Sequence, residues 1–293
     1  MMKNLMGKPI FVFTFLLVIL ILNSSRLTTS QELEADEGEF DYDEGSSRGP
    51  ENWGDLREDW ATCKTGTLQS PIDLVRNMVT VVPELGKLKK RYIPANATLK
   101  NRGHDISVQW VIGTAGSIKI SGIEYALEQC HWHSPSEHAI NGRRFDLELH
   151  MVHRNLKLKK IAVIGVLYYS KFIWGRPDSF LSELKKDIQK IADTNEKEVN
   201  VGVVDPRHIN IPGSKYYRYS GSLTTPPCTE GVIWTINDQL STVTKAQVNL
   251  LRRAVDNKSN ARPLQQLNDR DILFYSPKHI QILPTTSSSV DII

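Results

Sequence analysis

Between residues 49 and 285 the chain is written as short apolar or alternating runs separated by Gly, Asn, Asp and Pro. Ile106–Ile112, Ser117–Ile120, Leu127–Trp132, Phe145–Val152 and Ile161–Tyr169 read as strands. The last is apolar almost throughout, the pattern of a strand buried on both faces. Helical spacing occurs twice. Phe180, Leu181, Leu184, Ile188 and Ile191 follow Asp178 and Ser179, and Val248, Leu251 and Val255 follow the capping-box pair Thr244 and Gln247. No repeat and no Pro/Ser linker interrupts 49–285, so the pattern predicts one mainly β (α+β) domain with peripheral helices, followed by a flexible tail, 286–293.

The N-terminus follows a different pattern. Lys3 and Lys8 precede an apolar run, Ile10 to Leu22, broken by Thr14 and followed by small and polar residues. That order predicts a secretory signal peptide over 1–30, cleaved before Gln31, because a spanning helix needs about 20 apolar residues. The rest of the chain holds no run long enough to span a membrane. Charge sharpens the division. The 293 residues sum to +3, but residues 1–30 hold three bases and no acid, and residues 31–44 hold eight acids and no base. Residues 31–48 are therefore an acidic N-terminal segment, and 49–285 is the folded domain. The segment is expected to lie over the chain's own basic loops, such as Lys87–Arg91 and Lys157–Lys160. These loops lack interleaved aromatics, which argues against nucleic-acid binding.

A secretory route makes the three cysteines informative. Cys130 sits inside an aromatic, strand-like segment. Cys63 and Cys228 lie in loop-like contexts, so these two are expected to pair. Two sequons, at Asn96 and Asn257, are expected glycan sites.

Five of the eight histidines fall within 23 residues: His131, His133, His138, His150 and His153. On a strand, His131 and His133 point to one face. His150 lies on the next strand-like run, after a turn at Asn141-Gly142, and neighbouring strands are about 5 Å apart. Three imidazoles suit zinc and leave a fourth position open, as a catalytic site requires. Gln129 and Glu148 each precede a ligand by two residues on the same face, where they can hold the second ring nitrogen. Cys130 has the opposite parity and reads as a buried thiol. His138 and His153, out of phase, read as structural hydrogen bonders, and His208 and His279 as surface residues. There is no H-E-x-x-H motif and no Walker loop.

These residues resemble the alpha-class carbonic anhydrases, in the wording of the plant branch. The matching segments are Gln129–His138, Glu148–His153 and Ser222–Cys228, supported by Gly49–Trp53, Gln69–Asp73 and Asn101–His104. The resemblance covers about residues 40–285. It implies a domain built on a large central, mostly antiparallel twisted sheet, with zinc held by His131, His133 and His150. It implies hydration of carbon dioxide to bicarbonate and a proton by zinc hydroxide, with an esterase side activity and with sulfonamides and anions as inhibitors. Thr224, backed by Glu137, would orient the hydroxide. Val152, Val163, Leu223 and Trp234 would form the apolar wall where the gas sits, and Thr225 would lie beside bicarbonate. Cys63 and Cys228 match the disulfide of extracytoplasmic members. His104 matches the proton shuttle. The need for one is physical: an acid near pKa 7, a value established for this enzyme class rather than read from this chain, loses its proton to water at only ~10³ s⁻¹. The resemblance leaves open a monomer or dimer, and an apoplastic location or a chloroplast reached through the secretory route. It also carries an alternative, a storage or binding protein on the same fold with weak activity.

Overall fold

The computed structural model describes residues 38–170, 176–193, 197–256 and 259–277. The signal-peptide reading, residues 31–37, Asn257, His279 and the tail fall outside them. Fifteen strands are present among the described residues: β1 (Asp73–Leu74), β2 (Val79–Val81), β3 (Lys89–Tyr92), β4 (Ala95–Asn101), β5 (Ile106–Trp110), β6 (Gly116–Ile120), β7 (Ile123–His133), β8 (Ala139–Ile140), β9 (Leu147–Asn155), β10 (Lys160–Ser170), β11 (Glu198–Val204), β12 (Tyr216–Ser222), β13 (Glu230–Asn237), β14 (Ser241–Val243) and β15 (Ile272–Tyr275). Four α-helices accompany them: α1 (Trp53–Leu56), α2 (Thr62–Thr65), α3 (Ser179–Asp193) and α4 (Lys245–Ala254).

One large sheet runs in the order β11-β4-β5-β7-β9-β10-β13-β12-β15-β2, with β3, β6 and β14 attached beside it. Its pairings are antiparallel except β10–β13, β10–β14 and β15–β2. The five expected strands correspond to β5, β6, β7, β9 and β10. The run read as buried on both faces, β10, lies between β9 and β13, with only its ends away from the core.

The two long helices cover one face. In α3, Phe180, Leu181, Leu184, Ile188 and Ile191 are all buried, as their spacing predicts. Asp178 caps it by accepting from Leu181 N at 2.8 Å. In α4 the Thr244–Gln247 capping box is complete. Gln247 also joins the two helix starts, accepting from Asp178 N and donating to Asp178 O. One expectation needs correction: Cys63 sits not in a loop but in the one-turn helix α2, too short for hydrophobic periodicity to reveal.

Candidate metal centre

β7 and β9 pair antiparallel with His131 directly opposite His150, and His133 opposite Glu148. His133 is two residues from His131 and shares its face. The three rings meet with centroids 5.0 Å (His131–His133), 5.2 Å (His131–His150) and 4.6 Å (His133–His150) apart. All three are buried.

Each ring is held by its outer nitrogen. His131 Nδ1 donates to Gln129 Oε1 at 2.8 Å, and His150 Nε2 to Glu148 Oε1 at 2.8 Å. His133 Nδ1 donates to the backbone carbonyl of Asn260 at 2.6 Å. Carbonyl and carboxylate oxygens only accept, so the ring proton belongs on these nitrogens. The lone pairs are left on His131 Nε2, His133 Nε2 and His150 Nδ1. Burial depresses the pKa of His131 and His150, keeping them neutral at neutral pH. The donor atoms of the three residues lie within 4.8 Å of one another. His133 Nε2 is buried with no hydrogen-bond partner, an arrangement that normally needs an explanation. Three convergent imidazoles, one with an orphaned buried nitrogen, fit a zinc ion.

Glu148 does more than its position in the sequence indicates. Besides His150 it accepts from His138 Nδ1 at 2.7 Å and from the backbone N–H groups of Glu137 and His138. Burial alone would raise this carboxyl, but His138 and His150 outweigh it and hold it well below the usual carboxylate range. His138 Nε2 reaches Tyr219 OH at 2.7 Å, and His153 Nε2 reaches Tyr92 OH at 2.9 Å. Both are thus hydrogen bonders away from the trio's inner nitrogens. Cys130 is buried, free and opposite Val108, and burial raises its thiol pKa.

The apolar wall follows from register. Gln129, Val152, Val163 and Trp234 form one cross-strand row over β7, β9, β10 and β13, in phase with the histidines. Val152, Val163, Trp234 and Leu223 are buried, and the Trp234 ring stands 4.8 Å from that of His150. Thr224 and Thr225 sit in the loop between β12 and β13. That loop is fastened by Trp234 Nε1 to Ser222 O (2.9 Å), by Cys228 N to Thr225 O (2.8 Å) and by the Cys63–Cys228 disulfide.

Glu137 is buried; its Oε1 accepts from Arg262 N at 2.9 Å. Its Oε2 has no hydrogen-bond partner and lies 3.5 Å from His133 Nε2, so Thr224 and Glu137 are not joined in this structure. Sequence reasoning missed Arg262, which also donates to Gln69 Oε1, Ser70 O and Cys63 O. It missed Asn260 for a plain reason: a backbone carbonyl carries no residue-type signal.

His104 lies at the end of the β4–β5 turn, its Nε2 3.7 Å from Asp105 Oδ2. Burial would raise the Asp105 carboxyl, but Arg102 and His104 hold it well below the ordinary range. Phe40 packs on His104 with ring centroids 5.0 Å apart. Phe40 is thus buried in the domain, and Tyr42 buries its hydroxyl. Among the described acids of this segment, Glu39 pairs with Arg57 and Asp41 with Arg48.

A strand pair presenting three convergent imidazoles beside an apolar wall could hold a metal ion, as the centre of a hydrolytic or hydrating enzyme would. The sequence model for eukaryotic-type carbonic anhydrase matches residues 48–276, and the chain belongs to that family. It is 51% identical over 269 residues to alpha carbonic anhydrase 7 of Arabidopsis thaliana, covering 91% of this chain and 95% of that protein. Among solved structures it resembles dioscorin complexed with ascorbate (TM-score 0.78, 45% identity, 82% of this chain and 98% of that one). It also resembles the alpha-carbonic anhydrase from Thermovibrio ammonificans with the inhibitor sulfanilamide (TM-score 0.71, 32% identity, 80% and 98%).

Proposed function

We propose that this carbonic anhydrase is a secreted zinc enzyme that interconverts carbon dioxide and bicarbonate, with His131, His133 and His150 as the zinc ligands. The observation that carries the reading is the inward lone-pair trio with its orphaned His133 Nε2. When bound, zinc supplies Lewis acidity that lets water ionise near neutral pH.

The remaining roles belong to the chain. Gln129, Glu148 and the Asn260 carbonyl fix the ring tautomers and aim the lone pairs. Glu137, whose Oε2 is buried and unpartnered, is assigned to accept from the Thr224 hydroxyl, whose oxygen can then only accept from the nucleophile and so orients it. Val152, Val163, Leu223 and Trp234 exclude water from where carbon dioxide sits, and Thr225 flanks bicarbonate. His104 relays the proton to buffer.

The buried disulfide supports an oxidising, secretory location. Among the described residues no helix is long and apolar enough to cross a membrane. Asn96, exposed on β4, is the sequon available for glycosylation among the described residues. Likeness to dioscorin keeps a binding or storage role as the second reading, and the intact histidine trio favours the enzyme.

Zinc titration tests the reading. The metal-stripped protein is expected to take up one zinc per chain, and His133→Ala to weaken uptake at least 100-fold. Equal zinc affinity in the variant contradicts it.

A further inference from the structure

The end of the large sheet remote from the histidine trio collects cations and apolar tips. β3 and β6 pair with Lys89 opposite Lys119, two like charges in register. β6 turns through Ser121-Gly122 into β7, where Glu124 stands opposite Lys119. Asn155 Nδ2 donates to Glu124 O at 2.9 Å and so holds the β9–β10 hairpin against that turn. The hairpin is closed by Leu158 N donating to Asn155 Oδ1 at 2.8 Å, with Lys159 in the left-handed region at φ +50°. Its tip, Leu156-Lys157-Leu158-Lys159, is exposed throughout, Leu156 at 57% and Leu158 at 46%. β3, β6, β7 and β9 are successive neighbours, so this end is about 15 Å wide. Lys87, Lys89, Lys119, Lys157, Lys159 and Lys160 are all exposed there, and among the described residues none of them has a carboxylate within ion-pair distance. Glu124 is engaged instead by the Ser117 hydroxyl.

We propose that this end of the sheet docks on an anionic lipid membrane, its lysines lying over the headgroups and Leu156 and Leu158 entering the apolar boundary beneath them. The unpaired cations supply charge complementarity, and a cation held at such a surface is worth about fivefold in binding. That attraction fades beyond a Debye length of about 10 Å at 0.1 M salt, so the cations must meet the surface together. A face about 15 Å wide, built on four adjoining strands, lets them do so. The leucines decide between partners. Nucleic acid or an acidic polysaccharide engages cations and gives two exposed leucine side chains nothing to enter. The boundary between headgroups and acyl chains takes both kinds of side chain at once. The contact is also well separated from the catalytic machinery. Glu124 and His131 stand about 20 Å apart along β7, so a docked chain keeps its metal centre clear of the membrane.

The test is co-sedimentation of the zinc-loaded full chain with vesicles of phosphatidylcholine, pure or with about one-third phosphatidylglycerol. Binding to the mixed vesicles is expected to be at least tenfold tighter than to the pure ones, and to weaken as salt rises. Replacing Lys89→Glu together with Lys119→Glu is expected to weaken it at least tenfold. Leu156→Ser with Leu158→Ser is expected to weaken it at least fivefold. Both double variants are expected to keep the parent's zinc content and hydration rate, because none of these side chains touches the metal centre. Lys157→Glu with Lys159→Glu, on the exposed hairpin, serves where the strand variant does not fold. A folded parent with no preference for the anionic vesicles overturns the proposal. Vesicle binding that survives the leucine replacements, or equally tight binding to polygalacturonate, overturns the lipid assignment in favour of a polyanion. Dimerisation that the lysine replacements abolish, without vesicle binding, overturns it in favour of a second copy's acidic segment.

Discussion

At the scale of single residues, buried hydrogen bonds decide what the site can do. Glu148 serves His138, His150 and two backbone N–H groups at once, and it is packed so closely that a Cβ on Gly165 would lie 3.0 Å from its Oε1 and 2.5 Å from the Ile236 side chain. In Glu148→Gln, an amide oxygen that accepts from both imidazoles turns the NH2 group onto the backbone N–H groups of Glu137 and His138, and the flipped amide offers both imidazoles a donor in place of an acceptor. Zinc affinity is expected to drop 10–100-fold, measured against a competing chelator. His153 makes a separate point. Burial pushes it down to about 3, whereas in the unfolded chain it titrates near 6.5. Below pH 6.5 the unfolded state therefore holds a proton that the native state lacks until about pH 3. The contribution is intact above 6.5 and lost as pH falls, by about 1.4 kcal/mol per pH unit. Denaturant unfolding from pH 7 to 4 is expected to show this slope, and His153→Gln to flatten it. Parity along β7 and β9 made Gln129, Glu148 and the three ligands legible in the sequence. Asn260 and Arg262 were not, because they lie in a loop far along the chain and carry no periodic signal.

At the scale of elements, legibility followed burial. β5, β6, β7, β9 and β10 could be read because their apolar side chains face the core. β12 escaped notice because Arg218, Ser220 and Ser222 break its apolar pattern, although Arg218 is satisfied by Thr235 and Ser222 by Ser70. β4 and β11, at one side of the sheet, mix exposed and buried positions and gave only a weak signal. β7 also carries a bulge between Leu127 and Gln129, which resets its phase just upstream of the ligands. The helices were legible through caps as well as spacing. Thr244→Ala removes the hydroxyl that accepts from Gln247 N, and is expected to cost about 1 kcal/mol in a thermal or urea melt without changing zinc content. An unchanged melting midpoint would show that Gln247 and Asp178 suffice to start α4.

At the scale of the whole molecule, the Cys63–Cys228 bridge fastens the loop bearing Thr224 and Thr225 to α2, across 165 residues of sequence. Closing so long a loop in the unfolded chain is worth at most about 5 kcal/mol in the entropic account. Arg262 reinforces the same junction through Cys63 O and Glu137 Oε1. Replacing both cysteines by Ser is expected to lower the melting temperature by several degrees and to slow catalysis by loosening the threonine loop. A lower melting temperature with unchanged turnover would confine the bridge to stability. The measurement that bears most directly on the central claim is stopped-flow hydration of carbon dioxide at pH 8 by the zinc-loaded chain, with and without acetazolamide. Rapid hydration abolished by the sulfonamide is the predicted result; a fully zinc-loaded, folded protein with no acetazolamide-sensitive hydration would contradict it.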